Sequence, residues 1–415
     1  MEKRQLIISE MLGHDTMNGV ARYVEMLCIG LPSDLYEIIV LKFVHYNQII
    51  LPKRIVLDNY VEIIIPLPFN SKDIINNDYW RTEYNKVSAH IIEPYIKRNG
   101  IIHIQTINLI DFAVYLRKMY NFKIVSHIHC IPWKYKYSLD RWQFNNIYKK
   151  LVIEELKDNE YNKKVIMKDE YTISKESDAI INVTKNAVKY YKNYLDTPAE
   201  KLYCIYNGIC DEINKQGKFC SSCKEPNWVA RLLFVGSVTE EKGFPFILEA
   251  LQIVKDKGYD FELRVAGKID EKMRALVEKR YKNLNVKILG LVNYEELCSL
   301  YQSSHIGLIS SLFEQCSYVA LEMAMFGMPV VYSDIDELNE IFDKETGMSV
   351  PVDFSLYSGL RVDVCVFADK ITRLIESPSL RNQIGQNVRK RFEEEFELEK
   401  MINKTTEVYN SLFKS

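Results

Sequence analysis

No stretch of this 415-residue chain is long and apolar enough to cross a membrane, and the apolar run in MEKRQLIISEMLGHD is too short for a secretory leader. Both absences give the expectation of a cytoplasmic protein. Excess positive charge is missing too. Lys and Arg number 54 against 56 Asp and Glu, a formal net charge of -2, so there is no overall basic field for non-specific nucleic-acid binding. There is no repeat of solenoid period and no low-complexity tract. The nine cysteines are an odd number. Cys28, Cys130, Cys298 and Cys365 lie in apolar stretches and read as reduced, buried thiols rather than a disulfide framework. Cys204, Cys210, Cys220 and Cys223 cluster around a CSSC; a single CxxC with no second pair and no histidine reads as free thiols, with zinc as the alternative. In MLGHDTMNGVARYVEML (11–27) a loop at Asn18 and Gly19 precedes a helix, but its spacing is not GxGxxG, so a dinucleotide cofactor has no support.

What is present is the composition of an ordinary globular protein, 47% hydrophobic and 27% charged. The length exceeds what one core supports, so two domains are expected. Short β-rich apolar runs alternate with segments of helical period, which predicts parallel sheets covered by helices on both faces. In the first half these runs are QLIIS (5–9), YEIIVLKF (36–43), VEIIIPLP (61–68), IIHIQ (101–105), FKIVSHIH (122–129), DAIINVT (178–184) and KLYCIY (201–206). The second half has RLLFVGS (231–237), FELRVAG (261–267), VKILG (286–290), IGLISS (306–311), PVVYSD (329–334) and GMSVPV (347–352). Two Rossmann-like domains follow, 1–206 and 207–392, with NGICDEINKQGKFCSSCKEPNW as their connection. A closing helical segment, 393–415, is expected to pack back toward the first domain. Residues 134–177 read as long charged helices. Trp133, Tyr135, Tyr137 and Trp142 form an aromatic cluster that packs helix on sheet or, alternatively, offers an acceptor platform.

Ligands of doubly wound sheets bind beyond the carboxyl ends of the strands. After the run 306–311 comes SLFEQCSYVALEMAMFG, with Ser317 as a helix N-cap, a helix over Tyr318–Phe326 and Gly327 closing it. The unpaired N–H groups at such a helix start favour a phosphate. Glu322, just over one turn inside, could accept two hydrogen bonds from a ribose diol, and Glu314 could hold hydroxyls of a group carried by the phosphate. Alternatively, Glu322 faces solvent and Glu314 is an incidental loop charge. FVGSVTEEKGFPFILEAL (234–251) is strand, loop and helix. Lys242 lies beside Gly243 there, where a cation can neutralise a diphosphate or simply face solvent. GLVNYEEL (290–297) is a further post-strand turn, with Leu291 after Gly290, suited to backbone recognition of a flat base or serving as a plain turn.

Three motifs in this order, YNGI at 206–209, G-x5-KG at Gly236–Gly243 and E-x7-E at Glu314 and Glu322, resemble the retaining glycosyltransferases of family 4, the "glycosyl transferases group 1" family. The resemblance is strongest over roughly residues 201–350. It implies an α/β protein of GT-B architecture, two Rossmann-like domains facing across a cleft, with C-terminal helices. It further implies a nucleotide-diphosphate sugar held mainly by the second domain and an acceptor hydroxyl, on a glycan, a lipid-linked saccharide or a protein or peptide, held mainly by the first. Carried over by residue, Glu322 would hold the ribose, Glu314 the donor sugar and Lys242 the diphosphate. Gly19, Gly236, Ser237 and Leu291 would complete the donor contacts with the backbone of Ser317, Tyr318 and Val319. A histidine after a first-domain strand often lines the cleft in this family; of His127 and His129, His129 fits the usual position. His129, Lys242 and Glu314 are thus the candidate catalytic residues. Ser237 departs from the pattern, which commonly has Arg there, so Arg231, Lys268 or Arg22 would have to assist Lys242 if it does not suffice.

The implied reaction is hexosyl transfer with retention, by same-face attack, with no dedicated pair of catalytic carboxylates. It needs no metal, since Asp and His form no local cluster of ligand spacing. A lipid-linked acceptor would bring peripheral membrane contact, although no strongly basic amphipathic helix is apparent. The rival readings are a GT-B nucleotide-sugar epimerase using the same glutamates, a non-catalytic glycosyltransferase-like partner protein, and a two-lobed solute-binding protein.

Overall fold

The structure is a computed structural model that describes residues 3–12, 19–45, 49–67, 77–131, 161–211, 229–355 and 359–414. The aromatic cluster from Trp133 to Trp142, the cysteines Cys220 and Cys223, and Asn18 lie outside the described residues. The chain divides into two compact units, Met1–Gly208 with Leu398–Ser415, and Ile209–Glu397.

The first unit is built on strands β1 (Arg4–Leu12), β2 (Tyr36–His45), β3 (Lys53–Val56), β4 (Tyr60–Leu67), β5 (Ile101–Ile104), β6 (Lys123–Ile128), β7 (Ala179–Asn182) and β8 (Leu202–Cys204). They form one sheet in the order β3-β4-β2-β1-β5-β6-β7-β8, parallel except for the antiparallel edge strand β3. Helices α1 (Gly19–Gly30), α2 (Asp78–Ile92), α3 (Ile110–Tyr120), α4 (Tyr161–Glu176) and α5 (Lys185–Tyr194) connect them. Each apolar run of the first half becomes a strand, because a strand covered on both faces keeps a nearly continuous apolar sequence. In β1, Leu6, Ile7 and Ile8 are all fully buried. β3 escapes sequence reading: KRIV is short, charged and exposed at the sheet edge, as edge strands often are.

The second unit has β9 (Ala230–Val235), β10 (Phe261–Ala266), β11 (Val286–Gly290), β12 (Ile306–Ile309), β13 (Val330–Ser333) and β14 (Met348–Val350) in a parallel sheet ordered β11-β10-β9-β12-β13-β14. A separate hairpin, β15 (Val352–Ser355) with β16 (Gly359–Val362), is antiparallel. The expected single run GMSVPV is therefore split at Pro351, which cannot donate to a ladder. The helices are α6 (Phe244–Asp256), α7 (Glu271–Ala275), α8 (Tyr294–Ser303), α9 (Tyr318–Met325), α10 (Asp336–Asn339), α11 (Val364–Glu376) and α12 (Pro378–Glu395). The last helix, α13 (Leu398–Ser411), belongs to the first unit: α1 and α13 pack together, and Tyr409 of α13 is fully buried. The second unit runs to Glu397 because Phe396 is buried and its carbonyl accepts the Ile209 N–H at 3.1 Å, tying the two chain crossings together.

Both sheets reverse direction of winding at one place, between β1 and β5 in the first unit and between β9 and β12 in the second. Such a switch point opens a crevice at the carboxyl ends of the two strands.

Candidate functional site

At the switch point of the second unit, the loop after β9 meets the loop after β12. Gly243, the N-cap of α6, adopts φ +67. A Cβ placed on it would lie 1.9 Å from the Ser310 carbonyl oxygen, so only glycine allows this approach. The Ser310 hydroxyl donates to the Lys242 carbonyl at 2.9 Å and the Leu312 N–H to the Glu241 carbonyl at 3.2 Å. Across this seam the Lys242 ammonium and the Glu314 carboxylate form an ion pair, Nζ to Oε1 2.5 Å, although 72 residues separate them. Glu314 is mostly buried, with a side-chain exposure of 12% against 37% for Lys242. The second loop contact is also glycine-dependent. A Cβ on Gly267, φ +145, would lie 1.9 Å from the Gly236 carbonyl oxygen. The Gly236 N–H donates to Ala266 and the Gly267 N–H to Gly290, so the ends of β9, β10 and β11 are laced side by side.

Helix α9 starts one residue after Ser317, whose hydroxyl accepts the Ala320 N–H at 3.4 Å. The helix ends at Met325, with Gly327 at φ +53 just beyond it. Its first-turn N–H groups, at Tyr318 and Val319, thus open toward the loop that carries Glu314. Glu322 does not face solvent. It is 1% exposed, among Ala320, Leu321, Met323, Ala324 and Met325, all buried, and its Oε2 accepts the Tyr301 hydroxyl at 2.6 Å. Tyr301, from α8, was passed over in the sequence because nothing local marks a tyrosine 21 residues from its partner. Gly267 was likewise missed, since its need for glycine comes from another strand.

Leu291 is 81% exposed, in the turn between β11 and α8, whose capping box pairs Asn293 with Glu296. Ser237 is exposed in the loop after β9. Among the alternative cations, Arg231 is directed to the Ser303 carbonyl and His305 at the opposite end of β9, and Lys268 is exposed in the loop after β10. The tripeptide Asp334-Ile335-Asp336 follows β13, a DxD spacing that the expectation of a metal-free reaction left out of account, and Asp334 accepts from Asn339 Nδ2 at 2.6 Å. Among the described residues no group of three or more His, Cys, Asp or Glu could hold a metal ion. No helix among them is long and apolar enough to cross a membrane. Cys204 and Cys210 are in no disulfide.

In the first unit, Gly19 opens α1 after β1 and is exposed. His129 follows β6, with Nε2 2.8 Å from Gln105 Oε1. Its ring stacks on His127 at 4.3 Å and meets Tyr23 edge-on at 4.9 Å. Burial pushes the His129 imidazole down to about 3, so it is neutral at physiological pH. His127 is more deeply placed: Nδ1 is 3.3 Å from His103 Nε2, and His103 Nδ1 is 2.6 Å from the Tyr409 hydroxyl. Burial lowers both of these imidazoles as well, His103 to about 3. On β1, Glu10 is 1% exposed and, among the described residues, neither carboxylate oxygen has a hydrogen-bond partner. Burial pushes it up from 4.5 to about 7, against the lowering influence of Lys42.

Residues 224–391 match the sequence model of the family described as Glycosyl transferases group 1. The chain is 28% identical over 260 residues to an uncharacterized glycosyltransferase, MJ1607, of Methanocaldococcus jannaschii, covering 59% of this chain and 63% of that protein. It is 28% identical over 240 residues to the O-antigen biosynthesis glycosyltransferase WclY of Escherichia coli, covering 57% and 62% respectively. The match therefore spans less than two thirds of either relative. Among solved structures, HepE of Anabaena in complex with UDP and glucose aligns with a TM-score of 0.67 at 13% identity, over 98% of this chain and 100% of that one. That likeness is one of fold. Residues 224–391 thus match the Glycosyl transferases group 1 family in sequence, and the two Rossmann-like sheets share the fold of the solved HepE structure.

Proposed function

We propose that this protein is a retaining glycosyltransferase that moves a sugar from a nucleotide-diphosphate sugar to an acceptor hydroxyl. The observation that carries the reading is the juxtaposition, at one switch point, of the Lys242–Glu314 pair and the start of α9, with buried Glu322 just inside that helix. Each piece has a chemical use. Lys242 and the N–H groups of Ser317, Tyr318 and Val319 suit the diphosphate, whose negative charge grows as the anomeric C–O bond breaks. Glu322 suits the ribose diol. Glu314, oriented by Lys242, suits the hydroxyls of the donor sugar. Gly236, Ser237 and Leu291 contribute the remaining donor contacts. The WclY and HepE names support the choice of a saccharide product and a UDP-linked donor.

The acceptor is assigned to the first unit, with His129 beside it. A neutral imidazole there can accept or donate a hydrogen bond without adding a charge to the reaction. In the step itself the bond from the anomeric carbon to the diphosphate oxygen breaks, and a bond to the acceptor oxygen forms on the same face. The acceptor proton passes to the departing phosphate oxygen. With Lys242 and the helix start meeting the leaving group, the step is proposed to need no metal; Ser237 in place of Arg leaves Lys242 as the principal cation. A glycan of the bacterial surface is the proposed acceptor class, in line with WclY.

The test is a screen of nucleotide sugars by mass spectrometry, with and without saccharide acceptors, for wild-type protein and Glu322→Ala. Donor-dependent transfer or hydrolysis should appear with one nucleotide class and vanish in the variant with its fold retained. An epimerised donor without transfer would favour the epimerase reading, and undiminished turnover of the variant would remove the site assignment.

A further inference from the structure

We propose that Tyr301 is a positioning residue for nucleotide recognition, holding Glu322 in the rotamer that discriminates ribose from deoxyribose. This rests on the assignment of Glu322 to the ribose. A carboxylate on a helix as apolar as YVALEMAM, 1% exposed, is expensive to bury. The phenol that satisfies it is itself 2% exposed and donates at 2.6 Å. If the pair served only to join α8 to α9, two apolar side chains of similar volume would do so at least as well, because buried polar pairs seldom exceed apolar packing in stability. The pair makes sense if the carboxylate has work with something from outside.

The geometry fits that work. Tyr301 stands on the helix before β12 and Glu322 on the helix after it. Its ring stacks on Phe326, one turn beyond Glu322, with centroids 5.2 Å apart and planes at 18°, so the hydroxyl is aimed by rigid neighbours. The hydrogen bond thus refers Glu322 to the same strand whose carboxyl end carries Ser310 and Glu314. A carboxylate accepts at about four lone-pair sites, and the Tyr301 phenol takes one of them. A glutamate whose side-chain torsions are already ordered loses less on binding than one that must be ordered by the ligand.

The experiment is calorimetric titration of the full chain with UDP, GDP and their 2′-deoxy counterparts, for wild type, Tyr301→Phe and Glu322→Gln. Tyr301→Phe keeps the ring on Phe326, and Tyr301→Met is the second hydroxyl-free variant should that ring shift. The wild type should prefer the ribose form about tenfold or more, the scale of a hydrogen bond to a charged group. In Tyr301→Phe the preference should fall to about twofold to threefold, with affinity for the deoxy form unchanged. In Glu322→Gln it should likewise shrink. A merely structural tyrosine would lower both affinities equally and leave their ratio intact, and that result would overturn the inference while sparing the ribose assignment. A wild type that binds ribose and deoxyribose forms alike would instead defeat the assignment of Glu322, and the role of Tyr301 with it.

Discussion

Gly243→Ala isolates the contact on which the geometry of the second-unit site depends. Two effects add. The residue has φ +67, a left-handed conformation that costs an alanine about 1–2 kcal/mol. The new Cβ also meets the Ser310 carbonyl at 1.9 Å, whereas Cβ contacts under 3.0 Å essentially never occur, so the loop must retreat by about 1 Å. That retreat breaks the Ser310–Lys242 hydrogen bond, a loss of about 0.5–1.5 kcal/mol, and draws Lys242 away from Glu314. The sum is a destabilisation of about 1.5–3.5 kcal/mol, or roughly 5–10 °C in the apparent Tm of a unit this size. Turnover should fall about 100-fold, the usual penalty for a displacement of about 1 Å at reacting groups. Gly258→Ala provides the comparison. It has φ +88 after α6 with nothing within 4 Å, so it should incur the conformational cost alone and leave turnover intact. Scanning calorimetry and steady-state donor turnover on both variants decide the matter. Equal losses in the two, or wild-type turnover in Gly243→Ala, would refute the reasoning.

Lys242→Ala should lower kcat by about 100- to 1000-fold with a smaller change in KM, because the charge it meets grows mainly in the transition state; an equal change in donor affinity would show that Lys242 binds the ground state only. Glu10→Gln should be more stable than wild type at pH 8 and nearly equal at pH 4. The sign follows from a folded carboxyl raised from 4.5 to about 7: it has no ionisation cost below 4.5, loses stability progressively up to about 7, and holds the full penalty above. On the order of 3 kcal/mol separates the two limits, and chemical denaturation across that range would expose a constant difference if Glu10 titrated normally.

The parallel sheets were readable because strands covered on both faces are written as continuous apolar runs, and thirteen such runs coincide with thirteen strands. Helix α9 was readable for the same local reason, a serine before it and a glycine after it. β3 and the β15–β16 hairpin were not, since KRIV and the segment around Pro351 carry no sustained alternation. At the site, Gly243 and Lys242 stand out in sequence, but their hold on Ser310 and Glu314 is purely tertiary. Tyr301 and Gly267 could not have been found, as each owes its role to an atom on a different element. The burial of Glu322 was also illegible: a helix with one charged residue reads equally well as a solvent-facing stripe until its neighbours are known.

The most direct measurement is a crystal structure of the protein with a bound nucleoside diphosphate or its sugar. The account predicts ribose hydroxyls within hydrogen-bond distance of Glu322, and a diphosphate at the Ser317 end of α9 with Lys242 in contact. A nucleotide bound elsewhere, or one whose ribose leaves Glu322 still bonded only within the protein, would contradict it.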